Sequence, residues 1–361
     1  MNNRNDSLAY LEMYDLGEIG KIYELQGGMF LKPIVVESKR GKFVLRLHTF
    51  RSEPSLFEYQ AEILYQASLE GLLCPQVIRT EDGSWGFPTP DGYCALHEYV
   101  EGVMIDWKTW YRLKIRPGFL EALGRHVAKM HDILRRIKVD GKDNLDVFLP
   151  PIQFDKLETI RVNWRKRLEC LKEKPCASEP APQKLLEVQD QVEVFWDKLE
   201  KGILKSDLLS LNTQPVHGDI SAVNLIFNSE RTDDPEGAVF IDWDCVHKGP
   251  RIYDALGDIL LRFPSRHPEW NKFSIEEIER YLNSYNKTSE IPLQDNEIEA
   301  IGICILARQL EDLRQRLQIA PELSESAGIK NANLIDMRME MMDQIKMDPN
   351  FYLNKITMKD Y

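Results

Sequence analysis

Between Leu16 and about Tyr99 the chain alternates apolar and polar residues with a period near two. Tyr23 to Gln26 and Phe30 to Glu37, joined across Gly27-Gly28, read as a hairpin. Phe43 to His48 follows the polar turn Lys39-Arg40-Gly41-Lys42 as an alternating strand, and Cys74 to Ile78 and Tyr93 to Tyr99 read as further strands. One segment breaks this rhythm: Leu56 to Leu69 places Phe57, Ala61, Leu64 and Ala67 (or Ser68) on one helical face. Beyond Pro117 the helical period takes over, with Leu120, Leu123, Val127, Met130, Leu134 and Ile137 in register. Helices are predicted near 153–173 and 183–203, separated by a Pro-rich loop at 174–182, and later at 275–285, 297–317 and 333–347. Two short apolar runs, Leu225 to Phe227 and Ala238 to Ile241, interrupt the helices as strands. The pattern predicts an α+β protein with a small β-rich lobe in residues 1–100 and a larger, mostly helical lobe in 101–361.

Composition narrows the function classes. A hydrophobic content of 43% over 361 residues supports a sizeable core. With 46 basic against 58 acidic residues the net charge is −12, which disfavours nucleic acid or an anionic membrane as the main partner and suits a cationic small molecule. No stretch approaches the roughly 20 apolar residues of a membrane span. The six cysteines show no Cys-x-x-Cys spacing, which argues against structural zinc, and the polar N-terminus lacks a signal-peptide core. The expected location is cytoplasmic; oligomeric state is left open.

The chemistry concentrates in two segments. Residues 217–224 read His-Gly-Asp-Ile-Ser-Ala-Val-Asn, and Phe-Ile-Asp-Trp-Asp follows at 240–244. In this order Asp219 is a candidate base for an attacking hydroxyl. Asn224, five residues on, offers a carbonyl oxygen, and Asp242, at a strand end, a carboxylate, both to a magnesium ion that bridges phosphates. Gly27-Gly28 would let backbone amides approach phosphates.

These segments resemble the aminoglycoside phosphotransferase and choline kinase superfamily, the small-molecule branch of the protein-kinase-like fold. His217-Gly218-Asp219 with Asn224 is similar to its His-Gly-Asp-x-x-x-x-Asn catalytic loop, and Ile241-Asp242-Trp243-Asp244 to its Ile-Asp-Trp-Glu segment. Tyr253-Asp254 resembles a Tyr-Asp element whose Asp is structural, and Leu123-Gly124 to His131 a family helix in which His131 packs rather than ligates. The resemblance implies a two-lobed kinase-like fold using Mg2+ with ATP or GTP as phosphoryl donor. It places Arg46 where the family's nucleotide-anchoring Lys sits, paired with Glu58 or Glu62 on the following helix. It also makes His97 to Gly102 the hinge, with Glu98 and Tyr99 beside the base. Asp219 would be catalytic, His217 would brace the loop and Asp244 would assist from behind. The acceptor would be a hydroxyl of a small molecule such as an aminoglycoside, amino alcohol, homoserine or sugar. The acidic residues Glu297, Glu299, Glu311 and Asp312 read either as an attraction for an amine or as ordinary surface charge. The alternatives are a non-catalytic kinase-like binding or structural protein of spore-coat type, favoured by the weak glycine loop and Arg46, and a Ser/Thr protein kinase. The latter is disfavoured because no Ala-Pro-Glu-type element follows Asp244.

Overall fold

The computed structural model describes residues 9–25, 33–48, 54–90, 92–114, 116–140, 154–174, 176, 179–257 and 274–356. Its N-terminal part is an antiparallel sheet of β1 (Ile19–Glu24), β2 (Ile34–Ser38), β3 (Gly41–His48), β4 (Val77–Ile78), β5 (Phe87–Thr89) and β6 (Gly92–Glu98). The spatial order is β1-β2-β3-β6-β4, and β5 also pairs with β6. Residues Gly27 and Gly28 lie outside the described residues. The β3–β6 register sets Arg46 opposite Ala95 and Val44 opposite His97. Successive side chains point to opposite faces of a strand. Phe43, Leu45, Cys94 and Leu96 therefore join Leu11, Tyr14, Leu16, Ile34 and Val36 in one core layer. Tyr93 and Ala95 face the other way, into the core shared with helix α1 (Pro54–Leu69). By parity Arg46 and His48 share that second face, which is how an alternating strand delivers a cation toward Asp242 and Asp244.

From β6 the chain runs through Tyr99–Gly102 into β7 (Val103–Met104), which pairs with β9 (Leu225–Phe227); β9 in turn pairs with β10 (Val239–Phe240). Gly102 has φ 146°, and a Cβ there would lie 2.3 Å from the Phe227 carbonyl oxygen. Only glycine permits this close passage between the two parts of the molecule. The rest is largely helical. In chain order the helices are α2 (Trp107–Lys114), α3 (Phe119–Arg136), α4 (Leu157–Lys172), α5 (Pro180–Glu187), α6 (Gln189–Leu204), α7 (Arg251–Ala255) and α8 (Ile275–Thr288), then α9 (Asp295–Glu299), α10 (Ile301–Ile319), α11 (Glu325–Gln344) and α12 (Pro349–Ile356). The remaining strands, β8 (Thr213–Val216) and β11 (His247–Pro250), form a separate antiparallel pair. Among the described residues no helix is long and apolar enough to cross a membrane.

Three expectations shift. The single helix over 183–203 is two, α5 and α6, meeting at Val188, and Pro180 opens α5 instead of belonging to a loop. A proline in the first helical turn costs no hydrogen bond and presets φ. The helix over 297–317 is likewise divided at Ala300 into α9 and α10. Glu297, Glu311 and Asp312 are buried, not surface charges. Glu297 pairs with Arg251, Asp312 with Arg316 and Arg338, and Glu311 accepts from the Tyr253 hydroxyl. Met337, Met339, Met341 and Met342 are core residues.

Candidate active site

Strand β8 ends at Val216 and the chain turns at once through His217-Gly218-Asp219. Gly218 has φ +85°, and an added Cβ would lie 2.2 Å from the Cys245 carbonyl oxygen, so the turn requires glycine twice over. His217 is fully buried. Its Nδ1 accepts from the Asp219 backbone N–H (3.2 Å), so Nε2 carries the proton and donates to the Ile241 carbonyl (3.0 Å). One imidazole thus ties the catalytic loop to the segment carrying Asp242. The Ile241 N–H adds a second tie to the Asn224 carbonyl at 2.9 Å. Trp243 packs over His217 (ring centroids 4.5 Å apart) and donates its indole N–H to the Phe240 carbonyl.

Beneath the loop lies Asp254, on α7. Its oxygens accept from the backbone N–H groups of His217 (2.9 Å) and Gly218 (2.8 Å) and from His131 Nε2 (3.0 Å). His131 Nδ1 meets the Tyr285 hydroxyl at 2.9 Å. Burial alone would raise the Asp254 pKa, but the His131 hydrogen bond and the nearby Arg308 guanidinium prevail and lower it from 3.8 to about 2. Arg308 on α10 completes the floor, donating to the carbonyls of Gly218 (3.4 Å) and Tyr253 (3.1 Å). Nothing in a helical period announces Arg308 as a side chain that binds backbone carbonyls.

At the mouth of the loop Asn224 Nδ2 donates to both the carboxylate (2.7 Å) and the carbonyl (3.0 Å) of Asp219. Both partners only accept, so the amide orientation is fixed and the Asp219 carboxylate is held in one orientation. Asp242 has left-handed backbone (φ 62°, ψ 57°), the sole non-glycine with positive φ among the described residues. Its Oδ1 accepts from Arg46 Nη2 at 2.8 Å, and Asp244 Oδ2 accepts from the same nitrogen at 3.2 Å. Burial favours the neutral form of Arg46, yet Asp244 and Asp242 more than offset this and raise its pKa above the ordinary arginine value.

The expected partners of Arg46 are therefore replaced. Glu58 is exposed, Glu62 accepts from Gln66 (2.9 Å), and neither meets Arg46. The α1 residue that reaches the cluster is Gln60, 1% exposed, which donates to Asp244 Oδ1 at 3.3 Å. At 100° per residue, positions two before and two after Gln60 point to the opposite side of the helix. Glu98 and Tyr99 stand at the crossing between the two parts. Their backbone N–H groups are already used, by the carbonyls of Gln76 (2.9 Å) and Lys42 (3.1 Å). Lys42 also lies over the Tyr99 ring at 3.7 Å.

Asn224 Oδ1 and Asp242 Oδ2 have no protein donor among the described residues. Two hard oxygen donors on segments tied together by the Ile241 N–H to Asn224 carbonyl bond, with phosphate and water oxygens completing the shell, fit a magnesium ion that would arrive with a nucleotide. Among the described residues no three His, Cys, Asp or Glu side chains cluster into an all-protein metal site.

The profile of the phosphotransferase enzyme family matches residues 33–291, well over half of the chain, and the chain belongs to that family. Homoserine kinase of Rhodospirillum rubrum is 23% identical over 221 residues, 61% of this chain and 62% of that protein. Homoserine kinase of Rhodopseudomonas palustris is 22% identical over 317 residues, 87% and 83% of the two chains. The match thus spans just under two thirds of the Rhodospirillum protein. Similar solved structures include an aminoglycoside phosphotransferase from Alicyclobacillus acidocaldarius (TM-score 0.65, 13% identity, covering 97% and 96% of the two chains). They also include the microcompartment-associated aminopropanol kinase (0.65, 15%, 96% and 100%) and amicoumacin kinase in complex with AMP-PNP, Ca2+ and Ami (0.64, 15%, 96% and 95%). The fold is the two-lobed α+β fold of these kinases.

Proposed function

We propose that the chain is a nucleotide-dependent kinase that transfers the γ-phosphoryl group of ATP or GTP to a hydroxyl of an amine-bearing small molecule, of the homoserine or amino-alcohol class. The observation that carries this is the lock between Asn224 and Asp219. A carboxylate held in one orientation by an amide whose own oxygen remains open to a cation is the arrangement in-line phosphoryl transfer requires. Asp219 orients the acceptor hydroxyl and takes its proton as the oxygen–phosphorus bond forms and the bond to the leaving nucleotide breaks. Asn224 and Asp242 would hold Mg2+, which would neutralise phosphate charge when bound. Arg46 steadies the phosphates, in exchange for the carboxylates it holds in their absence. The homoserine kinases and the aminopropanol kinase among the relatives support the acceptor class.

The test is calorimetric titration of Mg·ATP and Mg·GTP into wild type and Asp242→Ala, followed by nucleoside-diphosphate release with a panel of hydroxylated amines. Saturable binding that the substitution abolishes, with acceptor-dependent turnover, is expected. A folded wild type that binds neither nucleotide would return the chain to the binding-protein alternative.

A further inference from the structure

Two acids flank Trp243, and the N-terminal part of the molecule meets them differently. Among the described residues Asp242 touches that part through Arg46 and no other side chain. Asp244 is met from both β3 and α1. Arg46 Nη2 lies 3.2 Å from its Oδ2, while Gln60 Nε2 and His48 Nδ1 lie 3.3 and 3.4 Å from its Oδ1. Gln60, His48 and His97 are all buried, and His48 Nε2 stands 3.3 Å from His97 Nε2 on β6. Because a carboxylate only accepts, His48 faces Asp244 with Nδ1–H, and its Nε2 accepts from His97. Phe57 on α1 packs on the His48 ring, with centroids 4.7 Å apart, so α1 and β3 approach Asp244 as one unit.

Stability does not account for Gln60. The carboxylate fixes its amide with Nε2 forward, and Oε1 is then buried with no hydrogen-bond partner. One long bond and one unmet acceptor are a net cost at a position on the packed face of α1, between Phe57 and Ile63. A methionine would fill the same length with no polar atom to satisfy. What the amide does gain is reach to the segment that carries Asp242. Asp244 lies in the single turn Trp243–Cys245, whose N-cap is Asp242, so the aim of Asp242 follows from where Asp244 is held. When Arg46 turns to phosphate, Asp242 loses its link to the N-terminal part. Gln60 and His48, at Asp244, keep theirs.

We infer that Gln60 is a positioning residue for nucleotide binding: acting through Asp244, it keeps Asp242 aimed at the metal while Arg46 is occupied by phosphate. This rests on the kinase reading above and deepens it. An acid on α1 would serve the cation of β3; here a neutral amide serves a carboxylate of the opposite part. A glutamate at this position would face Asp244 acceptor to acceptor.

The experiment titrates Mg·ATP and, separately, adenosine into the full chain by calorimetry, with denaturant unfolding of each variant alongside. Gln60→Met should weaken Mg·ATP about tenfold, the low end for a residue that orients a metal ligand from behind. It should leave adenosine, which carries neither phosphate nor metal, within about twofold, and unfold no earlier than wild type. In an Asp244→Ala background the same substitution should change Mg·ATP affinity by less than about twofold, since the partner through which it acts is gone. Gln60→Glu keeps the shape and exchanges donor for acceptor. It should weaken Mg·ATP at least as much as Gln60→Met, and it serves if the methionine variant does not fold. Mg·ATP affinity unchanged in Gln60→Met, an equal loss for adenosine, full additivity with Asp244→Ala, or wild-type affinity in Gln60→Glu would each overturn the inference and leave the kinase reading intact. A folded wild type that takes up no Mg·ATP would sink that reading and the inference with it.

Discussion

Asp254 and Asp242 are both aspartates engaged by cationic or N–H donors within the same small region, yet one side chain is 1% exposed and the other 43%. Asp254 is surrounded by groups that never leave: two backbone N–H groups and a histidine whose second nitrogen is occupied. Asp242 is held by a long, flexible side chain from the other part of the molecule. The difference teaches that the 217–224 loop is preorganised from below, while the upper cluster is held by exchangeable ion pairs. On the proposed function, phosphate would satisfy Arg46 and a divalent cation Asp242, so nucleotide binding would swap partners without stranding a charge.

The sharpest way to break this comparison is to remove the group that the rigid floor presents. Asp219→Asn should cut turnover by about 10³- to 10⁴-fold with Mg·ATP affinity within about twofold. Steady-state rates above a tenth of wild type would take Asp219 out of the base role. Next in size is the floor itself. Asp254→Asn should cost roughly 3 kcal/mol of unfolding free energy, because it leaves two buried N–H groups and His131 poorly matched. The lowered pKa gives this loss a pH signature. A carboxyl depressed from 3.8 to about 2 contributes stability that is fully present above pH 4 and lost as pH falls through about 2. Denaturant titrations of wild type and variant should therefore differ by a constant amount from pH 7 to 5 and converge below pH 4; a gap unchanged at pH 3 would contradict the charged-floor account.

The upper cluster should respond in the opposite currency. Asp242→Ala should lower Mg·ATP affinity by about 10- to 100-fold while changing unfolding stability by less than about 1 kcal/mol, since its ion pair is half-exposed. A large stability loss in thermal melts would show that the cluster is structural after all. Smallest of all are Glu58→Gln and Glu62→Gln, expected to leave nucleotide affinity within about twofold. A tenfold loss in either would mean that Arg46 re-pairs with α1 when nucleotide binds, which would sharpen the idea of exchangeable pairs into a defined exchange.

The juxtaposition of Asp219, Asn224 and the Asp242 segment in the candidate site was legible because these residues sit close in sequence. Asp219 and Asn224 belong to one loop, and the strand preceding Asp242 shows in Val239 and Phe240. The Arg46 pairing was not legible. It depends on the rotation of α1 about its axis, and the choice among Glu58, Gln60 and Glu62 is a 200° question that the amphipathic pattern of α1 resolves only weakly. The buried acids on α9 and α10 escaped for a related reason. Glu311 and Asp312 look like surface residues until Tyr253, Arg316 and Arg338 are brought alongside from elsewhere in the chain. The helix break at Val188 was masked by continuous apolar periodicity across it, whereas the proline that starts α5 was visible and read as a breaker.

The left-handed backbone of Asp242 has a consequence for how such a chain would age. An L-residue in that conformation costs on the order of 1 kcal/mol that a glycine would not. A lineage freed from handling nucleotides would be under steady pressure to relax this position first, since glycine relieves the strain. With aspartate there, this chain carries a backbone cost that neither Asp219 nor Asn224 imposes, and Asp242→Gly would relieve it while removing the carboxylate.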